Sequence, residues 1–404
     1  MKIALLAPSD KSFIKDFLPK DDLNFLPDGY SGAPFIGTLL KEFLDMGHEV
    51  VAITTTKAID GDYEVKSFIN DKFSWHVVPY RPNSLKKNGN KLGRIVDLFA
   101  FEKEKMKSII QDVKPDIVHA HWSYEFAGAA IKSGYPYLVT IHDNPFVILK
   151  YFKNLYRFGR LLMAEMNLKK VDKATTVSPY MLGYANKRCK QVKVVPNPIQ
   201  IEYYIDEVKK MIDDRISTIG SPRIFMINNG WDERKNGKSA LLAFKNLLDQ
   251  FPNASLHLFG SGSEKEGVAF KEAQEIGLEE NIFFNGAVTR DYLLEQLKMA
   301  HLFLHPALEE SFGVVLIESM SMGIPAIGGD KSGAVPWVIN QKELLVNVRD
   351  YSDILNKLTE LIKDETKYKK LALSCYENVV NRFSSESVSK QYLDSYEEVL
   401  KAKL

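Results

Sequence analysis

The sequence predicts an α/β protein built on doubly wound parallel sheets, and three observations support this prediction. Short apolar runs alternate with helical segments along the chain, which is typical of parallel strands that are buried on both faces. The composition, 45% hydrophobic and 26% charged, is that of a globular protein. The length of 404 residues exceeds what one ordinary core holds, so two or three lobes are expected.

The first half of the chain shows this alternation clearly. Its predicted elements are a strand over 3–7, a helix over 35–46 that ends at Gly47, strands over 50–54 and 75–79, a helix over 95–112, and strands over 116–120, 137–141, 173–177 and 192–195. The first apolar run is too short for a signal peptide, and no run reaches the length of a bilayer-spanning helix. In a parallel sheet, ligands gather outside the carboxyl ends of the strands.

The second half repeats the alternation after a charged and polar segment, 201–221, which is interpreted as a link between two lobes. The predicted strands cover 223–227, 256–259, 281–284, 302–305 and 325–328. The predicted helices cover 238–248, the stretch from about Gly313 to Met322, 351–363, 367–382 and 386–403.

Two glutamates, Glu310 and Glu318, flank the start of the helix that follows the strand over 302–305. Glu310 is placed just before the helix and Glu318 two turns inside it. Eight positions span roughly 12 Å along a helix, about the length of a nucleotide sugar from ribose to hexose. Gly313 lets a ligand approach the backbone closely, and the helix start offers unpaired N–H groups to an anion. The residues of this helix start are Ser311, Phe312, Gly313, Val314 and Val315. The alternative is an amphipathic helix with two solvated glutamates.

This stretch resembles the Glu-x7-Glu signature of the family 4 glycosyltransferases (glycosyl transferases group 1), which are retaining enzymes of the GT-B fold. Its surroundings match as well, at His305-Pro306, 319–326, 332–336, Gly47-His48-Glu49-Val50 and Thr140-Ile141-His142-Asp143. The resemblance implies two Rossmann-like, doubly wound parallel-sheet domains that face a central cleft. It implies an acceptor-binding domain over 1–205, a donor-binding domain over 206–383, and a C-terminal helix, 384–404, that crosses back to the first domain.

The resemblance also implies roles for individual residues. His142 matches a family histidine that lies against the donor sugar, with a structural histidine as the alternative. Lys235 matches the lysine of the family pattern Gly-Arg-x(n)-Lys-Gly, but Trp231 stands where that pattern has arginine, so Arg234 carries the guanidinium role or the role is missing. A cationic pair in a loop at a strand end suits a diphosphate leaving group, whereas the alternative is a solvated charge run.

These matches define the predicted site. The predicted catalytic residues are His142, Arg234, Lys235 and Glu310. The predicted donor-binding residues are Gly32, Gly230, Gly260, Gly262, Ser311, Phe312, Gly313, Val314, Val315 and Glu318. At one of these positions the family has a Gly-Gly pair, and the sequence here reads Gly32-Ala33, so close backbone approach at Ala33 is in doubt.

No metal or cofactor is expected beyond the nucleotide-sugar substrate, which is taken to be UDP-linked. Cys189 and Cys375 make neither a metal-binding spacing nor a disulfide framework, which suits a reducing cytoplasm. Asp60-Gly61-Asp62 has the form of the metal-binding Asp-x-Asp of other glycosyltransferases, but it lies in a predicted turn and is interpreted as solvated. The sequence offers no Ser/His/Asp triad and no zinc spacing.

The net charge of +1 gives no overall attraction to nucleic acid or membrane. One segment, 147–170, is nevertheless basic and aromatic, which is typical either of peripheral contact with an anionic membrane or of packed helices with a charged outer face. We expect a cytoplasmic protein, with peripheral contact at the inner face of the membrane if the first interpretation holds.

The resemblance implies a metal-independent, retaining transfer of a hexose, with UDP-glucose as the commonest donor, to a glycan or lipid-linked acceptor. Retention would follow a front-face route in which the leaving phosphate takes the acceptor's proton. The turn from Ser332 to Trp337 resembles bacterial enzymes of surface polysaccharide synthesis. Two alternatives remain open at this point: a sugar-nucleotide 2-epimerase of the same fold, and a non-catalytic nucleotide-sugar-binding subunit.

Overall fold

A computed structural model describes residues 1–17, 26–59, 61–278 and 280–402. The chain divides into two compact units, which we call unit 1 (Met1–Gln200 with Ser385–Leu404) and unit 2 (Ile201–Ser384). The assignment of acceptor and donor binding to domains over 1–205 and 206–383 stays a prediction.

Unit 1 is built on an eight-stranded sheet. Its strands are β1 (Lys2–Leu6), β2 (Glu49–Lys57), β3 (Lys66–Ile69), β4 (Phe73–Tyr80), β5 (Ile117–His121), β6 (Tyr137–Ile141), β7 (Lys173–Thr176) and β8 (Gln191–Val194). The order is β3-β4-β2-β1-β5-β6-β7-β8, and every neighbouring pair is parallel except β3 with β4. The central strands are buried on both faces, which explains their continuous apolar sequence.

The helices of unit 1 that precede unit 2 in the chain are α1 (Lys11–Ile14), α2 (Pro34–Asp45), α3 (Ala100–Val113), α4 (Glu125–Lys132), α5 (Pro145–Tyr151), α6 (Leu155–Leu168) and α7 (Leu182–Ala185). The helix predicted over 95–112 therefore begins five residues late. The preceding residues form turns in which Leu98 and Phe99 have positive φ (51° and 59°). Arg81 holds these turns through two bonds of 2.7 Å to the carboxylate of Asp97.

Unit 2 contains a six-stranded, fully parallel sheet in the order β11-β10-β9-β12-β13-β14. Its strands are β9 (Arg223–Ile227), β10 (Ser255–Phe259), β11 (Ile282–Gly286), β12 (Leu302–His305), β13 (Ala326–Gly329) and β14 (Leu345–Val346). Its helices are α8 (Ile205–Ile216), α9 (Gly237–Leu247), α10 (Val268–Glu275), α11 (Arg290–Leu297), α12 (Val314–Met320), α13 (Val335–Ile339), α14 (Tyr351–Lys363) and α15 (Glu365–Phe383).

The segment interpreted as a link is largely the helix α8, so that interpretation is wrong for most of its length. Val208 and Ile212 lie one turn apart and are both fully buried where α8 packs against α15. Arg215, 3% exposed, donates from Nη1 to the carbonyls of Met322 (2.9 Å) and Gly323 (3.3 Å), just past the end of α12. A buried cation there pairs with carbonyls that have no helical partner.

The last helix, α16 (Ser385–Lys401), belongs to unit 1, as predicted. It packs against α2 and β6, and its Tyr392 and Tyr396 are fully buried. The chain thus leaves unit 1 once and returns to it once. Across the described ranges, no helix combines the length and the apolar character that crossing a membrane requires.

Candidate active site

The loop after β9 carries two basic residues beyond the carboxyl end of the unit 2 sheet. A single 3-10 turn, Glu233–Lys235, starts at Asp232, whose Oδ1 accepts from the Arg234 N–H at 3.0 Å. Asn236 follows in the left-handed conformation and donates from Nδ2 to the carbonyl of Pro306 at 3.0 Å. This bond fastens the loop after β9 to the segment after β12, so two distant stretches of sequence meet.

The meeting point is a charged cluster around Glu310. Lys235 Nζ donates to Glu310 Oε1 at 2.5 Å, and Arg234 Nη1 lies 3.6 Å from the same oxygen. His305 Nε2 lies 3.7 Å from it. The Glu310 backbone is itself fixed, because its carbonyl accepts from the Ala334 N–H at 2.9 Å. The structure therefore brings three of the predicted catalytic residues together.

The charge states of this cluster follow from its surroundings. Burial raises the pKa of Glu310, but the nearby Lys235, His305 and Arg234 outweigh burial, so the net pKa is lowered. Burial lowers the pKa of His305 to about 4, against the raising effect of Glu310. At neutral pH Glu310 is ionised and His305 is neutral.

Two buried side chains beside the cluster lack partners. Both ring nitrogens of His305 (1% exposed) and both amide atoms of Asn228 (2% exposed) have no hydrogen-bond partner among the described residues. His305 is the last residue of β12, and Asn228 directly follows β9, which is the neighbouring strand. Buried polar atoms are usually satisfied, so this strand edge fits a polar ligand that supplies the missing bonds. Asn228 was not among the predicted site residues, although its position after a strand was a usable signal.

Glu318 lies in α12 and is only 3% exposed. The helix begins at Val314, so Glu318 is its fifth residue, little more than one turn inside rather than the two turns predicted. Its Oε1 accepts from Arg290 Nη1. Arg290 was not predicted, yet it opens α11 soon after the carboxyl end of β11, the same kind of position that identified Lys235.

Trp231 has a structural role in this region. Its Nε1 donates to Glu272 Oε2 at 2.7 Å, and its ring packs over Gly237, where a Cβ would come within 2.1 Å of it. Trp231 therefore supplies no cation, and Arg234 is the guanidinium group that lies near Glu310.

The predicted donor-binding glycines of unit 2 lie in turns at strand and helix ends. Gly230, Gly260, Gly262 and Gly313 all have positive φ. At Gly260 the requirement is strict, because a Cβ there would lie 2.1 Å from the Asn228 carbonyl oxygen. Gly313 is the N-cap of α12 and has no side chain with which to cap it, while its carbonyl accepts from the Leu316 N–H at 3.0 Å.

In unit 1 the predicted residue His142 follows β6 and is 7% exposed. Its Nε2 shares a hydrogen bond of 2.8 Å with Nδ1 of His121, the last residue of β5. Its ring stacks 4.2 Å from the ring of Trp122 and 5.2 Å from that of Phe35. Gly32 lies just before α2 with φ 109° and open space around its Cβ position, whereas Ala33 is buried.

Asp143, next to His142, is fixed by a hydrogen bond. It accepts from the Tyr124 hydroxyl at 2.9 Å, and Arg160 lies 3.6 Å over the Tyr124 ring while pairing with Glu125 at 2.5 Å. Burial raises the pKa of Asp143 to about 6, while the Tyr124 hydrogen bond and Arg160 act against that rise. No separate role was predicted for Asp143.

The basic and aromatic segment 147–170 forms most of α5 and all of α6. Part of it is packed, since Leu161, Met163 and Leu168 are buried. Four apolar side chains are instead exposed and recur at helical spacing: Leu155 (69%), Phe158 (48%), Leu162 (43%) and Met166 (55%). We call these four residues the α6 stripe.

Asp60, the first residue of the Asp-x-Asp sequence, lies outside the described residues. Asp62 is exposed, and its Oδ1 accepts from the Glu64 N–H at 2.8 Å. In the described part of the chain, no three His, Cys, Asp or Glu side chains are grouped as metal ligands would be. Cys189 and Cys375 are each buried and free within that part.

Two doubly wound, parallel-sheet units with polar residues beyond the strand ends define the GT-B class of α/β proteins. Residues 33–203 match the model of Glycosyltransferase Family 4, and residues 210–378 match that of Glycosyl transferases group 1. The chain therefore belongs to the family 4 glycosyltransferases and is an enzyme of the glycosyltransferase type.

Relatives and solved structures agree with this assignment. The chain is 25% identical over 391 residues to N-acetyl-alpha-D-glucosaminyl L-malate synthase of Bacillus anthracis, covering 92% of this chain and 94% of that one. In structure it is similar to sucrose-phosphate synthase from Thermosynechococcus elongatus (TM-score 0.74, 19% identity, all of both chains). It is also similar to Anabaena HepE in complex with UDP and glucose (TM-score 0.66, 16% identity, 98% of this chain and 99% of that one). At these identities the two structures establish the fold alone.

Proposed function

We propose that the protein moves a hexose from a UDP-linked donor, with retention and without a metal, to a glycan or lipid-linked acceptor. The observation that carries the proposal is the cluster of Lys235, Arg234 and Glu310 beside the unpaired atoms of His305 and Asn228. UDP-glucose is the proposed donor, supported by the UDP and glucose named for the Anabaena protein. UDP-N-acetylglucosamine is the second candidate, favoured by the name of the B. anthracis relative.

Lys235 and Arg234 supply the countercharge for the donor's diphosphate. One N–H of the Lys235 ammonium is directed to Glu310, which leaves two for phosphate oxygens. Negative charge on the leaving phosphate grows as the glycosidic bond breaks, and a cation already fixed in place stabilises that charge without reorganisation. The leaving phosphate oxygen then takes the acceptor's proton, so no enzymic base is required at this step.

The two glutamates bind opposite ends of the donor in this proposal. Glu318 Oε1 is occupied by Arg290, and its other oxygen accepts from a ribose hydroxyl. Glu310, fixed by Lys235, accepts from hydroxyls of the transferred sugar. His142 forms a further hydrogen bond to the substrate through its Nδ1.

Metal independence follows from this countercharge, since two cations already face the diphosphate. We expect transfer to continue in EDTA. Complete loss of transfer that Mn²⁺ or Mg²⁺ restores would contradict this part of the proposal.

The decisive experiment incubates the protein with UDP-glucose, UDP-N-acetylglucosamine and other nucleotide sugars, each with and without candidate acceptors. The acceptors are lipid-linked glycans, free glycans and L-malate, and the anomeric configuration of the product is read by NMR. Acceptor-dependent transfer with retention supports the proposal, and inversion contradicts it. Acceptor-independent formation of an epimer would instead identify a 2-epimerase.

The α6 stripe supports a lipid-linked acceptor reached at an anionic membrane surface. Its four apolar side chains lie on one helix face, and exposed lysines flank them: Lys150, Lys153, Lys169 and Lys170. Apolar side chains that enter the headgroup region, with lysines that meet anionic lipids, are the features of an interfacial helix.

Vesicle sedimentation tests this contact. We expect binding to phosphatidylglycerol vesicles, weaker binding to phosphatidylcholine vesicles, and loss of both in the double variant Leu155→Ser, Phe158→Ser. Ile69→Ser is the matched control, because Ile69 in β3 is 71% exposed and lies outside the stripe. Equal sedimentation of the double variant and the control would exclude the α6 stripe as the contact.

A further inference from the structure

The hydrogen bond between His121 and His142 requires a definite placement of protons. It joins His121 Nδ1 to His142 Nε2 at 2.8 Å, so one nitrogen carries the proton and the other accepts it. Burial lowers the pKa of His121 to about 3, and burial followed by the proximity of His121 lowers that of His142 well below its usual value. Both rings are therefore neutral at neutral pH, and each carries one proton.

Either His121 or His142 is the donor in this hydrogen bond. The surroundings of the second His121 nitrogen, Nε2, distinguish these two arrangements. His121 Nε2 is fully buried and has no hydrogen-bond partner in the described ranges. If His142 donated, His121 would have to carry its proton on Nε2, as an N–H group buried without a partner. Orphaned buried N–H groups are rare because they lose the full hydration of a donor. If His121 donates from Nδ1, its Nε2 is left only as an unprotonated nitrogen.

The neighbouring side chains of His119 and α16 do not supply a hydrogen-bond partner for His121 Nε2. His119, two residues before His121 on β5, has its ring 4.1 Å from that of His121. Both of its nitrogens are already engaged, Nδ1 with the Tyr396 hydroxyl and Nε2 with Thr140 Oγ1, each at 2.7 Å. Tyr396 lies in α16. The ring centroid of Tyr392, in the same helix, lies 6.1 Å from that of His121.

We infer that His121 is a positioning residue that donates from Nδ1 and holds His142 as the Nδ1–H tautomer. The hydrogen bond at one imidazole nitrogen decides which nitrogen carries the proton. His142 Nδ1, which has no protein partner within the described chain, then presents a neutral N–H to an oxygen of the substrate. It acts as a hydrogen-bond donor and accepts no proton, so it is not a general base.

The role of this N–H in transfer rests on the proposed function, but the tautomer itself does not. The first experiment therefore uses the full-length protein without substrate, labelled with ¹⁵N-histidine, and records long-range ¹H–¹⁵N spectra at pH 7.5. Spectra of His121→Asn and His142→Asn assign the two rings. We expect both rings to be protonated at Nδ1 and unprotonated at Nε2. A proton on Nε2 of His142 would overturn the inference, whatever reaction the enzyme catalyses.

The second experiment measures transfer with the conservative and the disruptive replacement. In His121→Asn the side-chain amide can donate near the position of Nδ1, whereas His121→Leu cannot donate at all. We expect His121→Leu to lower kcat/KM at least about tenfold, in line with the loss of a buried hydrogen bond, and His121→Asn to retain most of the activity. Thermal melts identify any loss of folded protein, and His76→Leu, another buried histidine of unit 1, serves as the control.

The outcomes distinguish the positioning role of His121 from the proposed function of the enzyme. Equal losses in His121→Asn and His121→Leu, with both variants folded, would show that positioning by a donor is wrong. An absence of transfer in the unaltered protein would contradict the proposed function and leave the tautomer measurement intact.

Discussion

Both units carry polar residues beyond the carboxyl ends of parallel strands, but these residues are neutral in unit 1 and largely charged in unit 2. In unit 1 the residues at the ends of β5 and β6 are neutral imidazoles that pack on aromatic rings. In unit 2 the residues beyond β9 and β12 include charged side chains, and Glu310 stays ionised at neutral pH because the cations of Lys235 and Arg234 outweigh its burial. Parallel sheets explain the shared location, since ligands gather beyond the carboxyl ends of strands. Under the proposed function, the imidazoles of unit 1 are expected to bind hydroxyls and the charged cluster of unit 2 is expected to bind a diphosphate.

Unit 1 also contains a buried ion cluster, which is structural. Arg81 (1% exposed) pairs with Glu102 (fully buried) and Asp97, and it fixes the turns before α3. We expect Arg81→Met to lower the free energy of unfolding by about 3–5 kcal/mol, because it leaves a buried carboxylate without its partner. Urea denaturation followed by circular dichroism measures this loss.

The matched control for Arg81 is Lys193→Met, which breaks the exposed ion pair of Lys193 with Glu398 in the same unit. Exposed pairs of this kind contribute about 0–1 kcal/mol. If both variants lost the same small amount, the buried cluster would have no special part in stability.

In unit 2 the corresponding test concerns catalysis. Lys235→Ala should lower kcat by about 10²–10³-fold in a protein that still folds, because a fixed countercharge for the leaving group is removed. Its melting temperature should fall, because Glu310 then has only Arg234 as a cationic neighbour. Steady-state kinetics at saturating donor measure it. Lys238→Ala, an exposed lysine at the start of α9, is the control. An unaltered kcat in a folded Lys235→Ala protein would remove Lys235 from the mechanism.

Replacing each of the two glutamates of unit 2 should have a different effect on ligand binding. Glu318→Gln should weaken UDP and the UDP-sugar alike, whereas Glu310→Gln should spare UDP and weaken the binding of the sugar and its turnover. Each lost acceptor is worth about 1–3 kcal/mol, which isothermal titration calorimetry resolves. Equal weakening of UDP by both substitutions would put both carboxylates at the nucleotide end.

Acidification should destabilise the protein through its neutral histidines. Burial lowers the pKa of folded His305 to about 4, while an unfolded histidine titrates near 6.5. Between these values the unfolded state binds more protons, so the free energy of unfolding falls as pH falls, by about 1.4 kcal/mol per pH unit for this residue. Its stabilising contribution is complete above pH 6.5 and is lost towards pH 4.

His305→Asn removes this titration and should reduce the slope of unfolding free energy against pH between 6.5 and 4 by about 1.4 kcal/mol per pH unit, while the other buried histidines maintain the remaining slope. His48→Asn is the comparison, since the His48 ring is only partly buried. Parallel pH profiles for the unaltered protein and His305→Asn would mean that His305 is not held neutral in the folded state.

Sequence patterns predicted the strands well because parallel strands buried on both faces are continuous apolar runs, as in β5 and β9. They missed α8 because its buried face consists of few residues, chiefly Val208 and Ile212, within a charged segment. Local motifs were enough to select Lys235 and Glu310 as candidate site residues, and their roles stay predictions. The pairs of Glu318 with Arg290 and of His142 with His121 were not, since they join residues that only the sheet order brings together.

The return of α16 to unit 1 affects the order of events during synthesis. Unit 2 is one continuous stretch of chain and can complete its core before residues 385–401 have been made. Unit 1 cannot, because Tyr392 and Tyr396 bury the ring of His119 beneath the histidine pair. Domains tend to fold as they emerge from the ribosome. The earlier-synthesised unit is therefore the later one to finish folding, and its partly assembled sheet is the form that chaperones would meet.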